Sequence, residues 1–536
     1  MITKDMNRRD FVKFLGRAGL SMSALGSMLS ASGCSSSPKS FVGYKIPSLT
    51  PNSSDDLDLA EGLNYQVLLS YGDQLSSNQV FGFNCDFNAF LPLNRANTEG
   101  ILWTNNESID PYFTFVNSND KYKRSKPQVD LERSLVGGSI SHIKKVSDAW
   151  TLVKESKFNR RIDGTTKIPF APESEIGGQK YGEGTLGNCA GGLTPWNTFL
   201  SCEENYHEFY GEVSFVNGKR KTTPSTDFFW ERVYNRPPEH YGWVIEIDPK
   251  TGDSKTLVSL GRFAHEGATC VTNKDKRVVV YMGDDKPNQC FYKFVSSSPD
   301  SLEEGQLFVA NLEENKWELL HYKDNPKLKG LFSSQLELLI STRVAAKKVG
   351  GTPLDRPEDV EVDPLTGDIY LCCTNNPVTG VKHGSILKLQ EKDRNHAGTS
   401  FTSSVWLKGG PEAGFSSPDN LTFDKNGHLW MTCDVSEKRL NKGDYASFGN
   451  NALFFIPTYG PQAGKAFRMV IAPKDAELTG PWFTPDYETL FLSVQHPGSM
   501  SSKMKKLTSH WPLGAPHTPK PSVVAITGPL FKSLIG

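Results

Sequence analysis

Arg356-Pro357-Glu358-Asp359-Val360-Glu361-Val362-Asp363-Pro364-Leu365-Thr366-Gly367-Asp368-Ile369-Tyr370-Leu371-Cys372-Cys373-Thr374-Asn375-Asn376 reads as one β-hairpin. A strand opens on a carboxylate, Thr366-Gly367-Asp368 makes the turn, and a β-branched and aromatic run returns to amides. The turn lies midway between Glu358 and Asn375, so antiparallel pairing brings those polar ends together at the edge away from it.

The same design recurs along the chain. Cys85-Asp86 runs out past Asn97 and back along Ile101–Thr104 to Glu107. Asn188-Cys189 turns near Asn197 and returns to Glu203 and Glu204, and His265-Glu266 turns near Asp275 and returns to Asp284 and Asp285. Pro418-Asp419 turns at Asn426-Gly427 and returns to Asp434, and Thr479-Gly480 turns near Tyr487 and returns to Gln495 and His496. Polar residues flanking one strand are ordinary loop residues, but six copies with polar ends symmetric about the turn are a repeat. Their uneven spacing places insertions between copies of one unit, the pattern of a closed radial architecture with loops added at one rim. The fold class expected is all-β, a six-bladed β-propeller with loop and short helical insertions. The longest expected helix lies in an insertion near Ser334 to Lys347, where Leu336, Leu338, Leu339 and Val344 are roughly face-spaced.

Residues 1–37 are expected to be a signal peptide. Asn7-Arg8-Arg9-Asp10-Phe11-Val12-Lys13 is a twin-arginine export motif, and the apolar run Phe14 to Leu29 is too short and too weakly apolar to span a membrane. Ala31-Ser32-Gly33-Cys34 has the form of a lipoprotein cleavage box, which would lipidate Cys34; ordinary cleavage nearby is the alternative. The partner implied is the twin-arginine translocation machinery, and the destination periplasmic or extracellular. Residues 38–64, rich in Ser, Pro and Asp, are expected to be a linker, and 65–536 a single propeller domain. A net charge of −1 and the lack of a basic patch with interleaved aromatics exclude a nucleic-acid-binding surface. Nine cysteines without CxxC or zinc-finger spacing do not make a disulfide scaffold. No transmembrane domain is expected, and the protein is expected to be a monomer.

If the polar hairpin ends share one face of the ring, that face gathers Glu107, Cys189, Glu203, Glu204, Glu266, Asp284, Asp285, Glu358, Asp419 and Asp434. So many carboxylates in one small volume require cations. Oxygen ligation suits Ca²⁺, Mg²⁺ or Mn²⁺, while a thiolate at Cys189 would admit iron or zinc; a buried structural thiol is the competing reading. Arg356 precedes Glu358 by two residues and so points to the same side of an extended strand, where it would hold a phosphate or carboxylate or simply neutralise the acidic funnel. His265 and His496 flank two hairpin ends as ligands, proton donors or supporting groups. No GxSxG, GxxxxGK[ST] or HExxH motif is present, and Gly182-Glu183-Gly184-Thr185-Leu186-Gly187 precedes a strand rather than opening a helix, so a dinucleotide site is excluded.

Gly187-Asn188-Cys189-Ala190-Gly191-Gly192, Thr194-Pro195-Trp196, Cys202-Glu203-Glu204-Asn205, His265-Glu266-Gly267-Ala268, Tyr281-Met282-Gly283-Asp284-Asp285, Arg356-Pro357-Glu358-Asp359, Ser417-Pro418-Asp419-Asn420 and Gln495-His496-Pro497-Gly498 together resemble the PhoX-type alkaline phosphatases, from about Tyr65 to the C-terminus. The resemblance implies an exported propeller carrying an iron and calcium cluster (Fe³⁺, Ca²⁺) with a bridging oxo group, active on small phosphomonoesters. It implies that Cys189 ligates iron, that Glu266, Glu358 and Asp419 are further metal ligands with one or both of Glu203 and Glu204, and that Arg356 contacts the phosphate. Glu107 falls in a family Asn-His-Glu block that here reads Asn105-Asn106-Glu107, and Asn197 stands where the family usually has Gly. Two rival readings are a calcium-dependent propeller lactonase or esterase and a non-enzymatic, calcium-stabilised binding propeller.

Overall fold

All six expected hairpins form, and each is the inner pair of a separate sheet of at least four strands, in the computed structural model that describes residues 41, 45–115, 123–216 and 219–536. The inner strands are Cys85–Pro92, Asn188–Leu193, His265–Thr272, Pro357–Val362, Pro418–Phe423 and Glu477–Phe483, opening blades 1 to 6 in chain order. In blade 4, Pro357 pairs with Cys373 and Val362 with Ile369, then Ser385–Glu391 and Phe401–Lys408 complete the sheet. The second strands are continuous apolar runs because neighbouring blades cover both of their faces. Ile369–Cys373, Val278–Asp284 and Thr489–Gln495 are buried at every position.

The core is accordingly divided into six seams, each filled by two consecutive blades. Val279 and Tyr281 of blade 3 meet Leu371 and Leu389 of blade 4, and Tyr370 and Ile386 of blade 4 meet Leu429 and Phe454 of blade 5. The ring closes because the outer strand of blade 6 comes from the other end of the chain: Asn64–Ser70 pairs antiparallel with Ser522–Thr527. That closure leaves no open seam between first and last blades; Phe90 and Leu102 pack there on Phe491 and Val523.

Two expectations are corrected. The stretch expected to be a linker is in part structure: Asp58–Leu59 pairs with the edge strand of blade 5, and Ile46, Leu57 and Ala60 are buried against blades 5 and 6. The expected long helix is two short ones, Gln335–Ile340 and Thr342–Val349, separated at Ser341, and Val344 is 45 % exposed. Leu338, Leu339, Ala345 and Ala346 make the buried face instead. A helix at Lys126–Leu135, capped by Ser125 and Gln128, had no apolar stripe strong enough to announce it. The signal segment 1–37, with Cys34, lies outside the described residues. Among the described residues no helix is long and apolar enough to cross a membrane.

Candidate active site

Every inner hairpin carries a register irregularity at the same place, just inside its polar end: between Cys85 and Asn88, Asn188 and Gly191, Glu266 and Thr269, Pro357 and Val360, Pro418 and Leu421, and Thr479 and Trp482. Such bulges re-aim side chains, and here they turn one residue per blade toward the ring axis. In four blades that first irregular residue is Asp86, Cys189, Glu358 or Asp419. In blades 3 and 6 it is Gly267 or Gly480, both with positive φ, and the carboxylate comes from slightly upstream, Glu266 and Glu477. Neighbouring bulges are tied together: Asn105 Nδ2 donates to the carbonyls of Cys189 (2.7 Å) and Ala190 (2.8 Å), the Leu421 N–H donates to Asp359 Oδ2 (2.9 Å), and the Gly480 N–H donates to Asn420 Oδ1 (2.9 Å).

The result is a cavity of about 540 Å³ at the hairpin ends, walled by nine carboxylates and Cys189 against four cationic side chains. Cys189, Glu204, Glu266, Glu358, Asp419, Glu107 and Arg356 all line it. One candidate ligand atom from each of Cys189, Glu204 and Glu266 lies within 4.8 Å of the others, with Cys189 Sγ 3.4 Å from Glu266 Oε1. Asp86 and Glu477 also line the cavity and were not among the expected ligands. Gln495 Nε2 bridges Asp86 Oδ2 and Glu107 Oε2 at 2.9 Å each, and Asn205 Nδ2 bridges Glu107 Oε1 (3.2 Å) and Glu204 Oε2 (2.6 Å).

Glu203 is a correction. It points away from the cavity, and its carboxylate accepts the backbone N–H groups of Leu186 (3.1 Å), Gly242 (2.7 Å) and Trp243 (3.0 Å). Neighbouring strand residues face opposite ways, so only Glu204 reaches the site. Asp284 likewise turns outward, to Arg343 Nε at 2.9 Å. Asn106, in the position of the family histidine, is fully buried behind the wall; its Oδ1 accepts from Ser139 Oγ (2.8 Å) and Arg161. Asn197 holds φ +66 at its turn, which Asn tolerates. Asn375 lines the cavity, whereas Asn376 is buried on Asp355 and Asn288. His265 is fully buried, bonds to the Gly261 carbonyl (2.8 Å) and is pushed down to about 3 by burial. His496 faces Glu477 Oε2 at 3.3 Å.

Burial, then mutual repulsion, holds Glu204, Glu266, Glu358, Asp419, Glu477 and Asp86 well above the ordinary carboxylate range, and burial with the surrounding carboxylates pushes up the Cys189 thiol. Asp86 Oδ1 is buried with no hydrogen-bond partner among the described residues. Glu358 Oε1 lies 2.7 Å from Arg356 Nη2 without an aligned hydrogen bond. A set of converging carboxylates with an orphaned buried oxygen and one thiol fits hard cations plus one softer metal. Asp285 is the exception: burial would raise it, but Arg356 and Lys286 outweigh that and hold it down at about 2.

The family described as alkaline phosphatase PhoX matches residues 44–498. The chain belongs to the PhoX family of alkaline phosphatases. The structure of Pseudomonas fluorescens PhoX in complex with vanadate, a transition state analogue, is similar at TM-score 0.79 and 28 % identity, covering 90 % of this chain and 98 % of that one. A Dyadobacter fermentans protein of unknown function (TM-score 0.41, 10 % identity, 87 % of this chain and 99 % of that one) and a catalytically inactive virginiamycin B lyase of Staphylococcus aureus (TM-score 0.32, 9 %, 88 % and 99 %) are similar far more loosely. No curated protein matches. This PhoX-family chain is a metal-dependent phosphatase built on a six-bladed propeller.

Proposed function

We propose that the protein hydrolyses phosphomonoesters to inorganic phosphate with iron and calcium held by Cys189, Glu204, Glu266, Glu358, Asp419 and Glu107, joined by Asp86 and Glu477. The observation that carries this is one thiol set among converging carboxylates beside a guanidinium. Bound cations would cancel the wall's charge and draw electron density from the phosphoryl oxygens as phosphorus is attacked. The chain's own part is positioning. Asp285 grips one edge of the Arg356 guanidinium, and Nη1, 3.5 Å from Asp434 Oδ2, is left to take a phosphate oxygen and stabilise the equatorial charge. Arg356 and Ser417 hold the same place before the prolines of their bulges at φ +55 and +53, a strained setting that fixes how Arg356 enters the cavity.

The test is elemental analysis of protein folded with iron and calcium available, paired with an assay on p-nitrophenyl phosphate from neutral to alkaline pH. The expected outcome is both metals bound and phosphate released; iron- and calcium-replete protein without turnover overturns the reading. The twin-arginine motif at Asn7–Lys13 supports export to the periplasm or beyond in the folded, metal-loaded state. A mass spectrum of the mature N-terminus separates lipidation of Cys34 from ordinary cleavage.

A further inference from the structure

Blade 5 carries an insertion between its second strand, Leu429–Cys433, and its third, Ala452–Ile456, and this insertion forms one wall of the cavity mouth. It is a built platform rather than a loose loop. Val435, Leu440, Tyr445 and Phe448 pack into a small core of their own. Asn451 clamps Val435 from both sides, accepting its N–H (2.8 Å) and donating to its carbonyl (3.1 Å), and Tyr445 Oη donates to the Lys382 carbonyl of blade 4 (2.8 Å).

This platform presents Lys438 and Arg439 to the cavity, both exposed. Each carboxylate of the insertion is committed elsewhere: Asp434 faces Arg356 (3.5 Å), Glu437 pairs with Lys503 (3.3 Å) in a separate cleft, and Asp444 with Lys382 (2.6 Å). Among the described residues neither Lys438 nor Arg439 has a carboxylate partner; the Arg439 guanidinium lies over the Tyr445 ring, 5.9 Å from its centroid, and its Nη1 donates to Tyr445 Oη at 3.5 Å. Lys286, on the same cavity, differs in being spent on Asn205 Oδ1 (2.7 Å) and Glu204 (3.6 Å). The cavity is thus anionic in its floor and cationic at one lip.

We propose that Lys438 and Arg439 form a subsite for a second anionic group on the leaving part of the substrate, so that the protein favours bisphosphates over simple phosphomonoesters. The inference rests on the phosphomonoesterase reading above. A phosphoryl group seated at Arg356 and the metal floor leaves these two cations unanswered; a second phosphate on the leaving group answers them.

The test compares phosphate release from glucose 1,6-bisphosphate and glucose 6-phosphate by the metal-loaded protein. In the Lys438→Ala/Arg439→Ala double variant, the ratio of kcat/KM for bisphosphate over monophosphate is expected to fall about tenfold, through KM, as two partly exposed ion pairs are lost. Roughly 0.5 M salt should produce a similar fall in the unaltered protein. The charge-preserving Lys438→Arg/Arg439→Lys variant should keep the ratio within about twofold. An unchanged ratio overturns the subsite, and so does an equal loss on both substrates, which marks general electrostatic steering. If the unaltered protein hydrolyses neither sugar phosphate nor p-nitrophenyl phosphate, the phosphomonoesterase reading falls and takes the subsite with it.

Discussion

Asp285 holds Arg356 by two parallel hydrogen bonds, Nε to Oδ1 and Nη2 to Oδ2, each 2.8 Å. The pair is more than charge neutralisation, because two prongs fix the plane of the guanidinium and so the direction of its remaining N–H groups. Asp285→Asn removes the charge and one acceptor, freeing Arg356 to swing onto Glu358, already 2.7 Å away. We expect kcat/KM on p-nitrophenyl phosphate to fall about 100-fold with metal content unchanged. Arg356→Lys, which keeps a charge without the fork, should fall at least as far. Wild-type kinetics in Asp285→Asn would show that the fork does not position the arginine.

Glu203 and Glu204 separate structure from site within one dipeptide. Glu203→Gln loses an acceptor for at least one of three buried N–H groups, so it should unfold about 1–3 kcal/mol more easily in urea while keeping its metals. Glu204→Gln should do the reverse, losing metal with little effect on the chelated protein's stability. Loss of metal in the Glu203 variant would mean that the amide nest and the site are coupled.

Chelation should make stability strongly pH-dependent. The folded-state values of the cavity carboxylates are raised above their unfolded values, and nearby Asp359 and Glu203 are raised by burial to about 7. A raised carboxylate binds its proton more tightly in the native state, so stability is present at low pH and is lost as pH climbs from about 4 through the folded values. Asp285, held at about 2, runs the other way, and its contribution disappears only as pH falls from about 4 toward 2. Metal-free protein should therefore melt at least about 5 °C lower at pH 8 than at pH 5, while metal-loaded protein should not. Parallel scanning calorimetry with and without chelator checks this; identical pH profiles would remove the argument that cations compensate the acidic wall.

Cys189→Ser should lose iron while keeping the fold. The bulge backbone is held by Asn105 through the Cys189 and Ala190 carbonyls, and the sulfur faces the cavity carboxylates, 3.4 Å from Glu266 Oε1, so little structural support leaves with it. Loss of at least about ten-fold in iron content with a melting temperature of the chelated protein within about 2 °C of wild type is expected. Undiminished iron would make Cys189 a bystander.

The repeat and its polar ends were legible because blade strands alternate between two requirements: apolar where neighbouring blades cover both faces, polar where the hairpin meets the axis. What the sequence withheld follows from local geometry. Glu477 lies upstream of Gly480, so counting outward from the turn stops at Thr479 and misses it. Glu203 and Glu204 differ only in which side of the strand end they face, and that is set by the register of the hairpin, not by composition. Asp58–Leu59 is too short to show a period, and the Pro, Ser and Asp around it read as a tether although Leu57 and Ala60 are buried. Ser341 ends one helix and begins the next, a break that an apolar spacing spread across both does not reveal.

Gly480 is where blades 5, 6 and 1 meet, so its backbone is constrained from both neighbouring blades. Its N–H donates to Asn420 of blade 5, and its carbonyl accepts from Asn88 Nδ2 of blade 1 at 3.1 Å. Its φ is +55, and an added Cβ would lie 2.6 Å from Phe87 Cα, a backbone atom that cannot turn aside. Gly480→Ala therefore meets both left-handed strain and a clash, and relief requires blades 6 and 1 to part where Asp86 and Glu477 enter the cavity. We expect about 3 kcal/mol of destabilisation together with weaker metal retention. Gly460→Ala is the control: its φ is also positive, at +82, but nothing lies within 4 Å of the added Cβ, so it should cost about 1 kcal/mol and leave metal content alone. Urea unfolding and elemental analysis of the two variants decide the matter, because equal losses would reduce the Gly480 requirement to φ alone and leave the close approach of the blades without a role in holding the site.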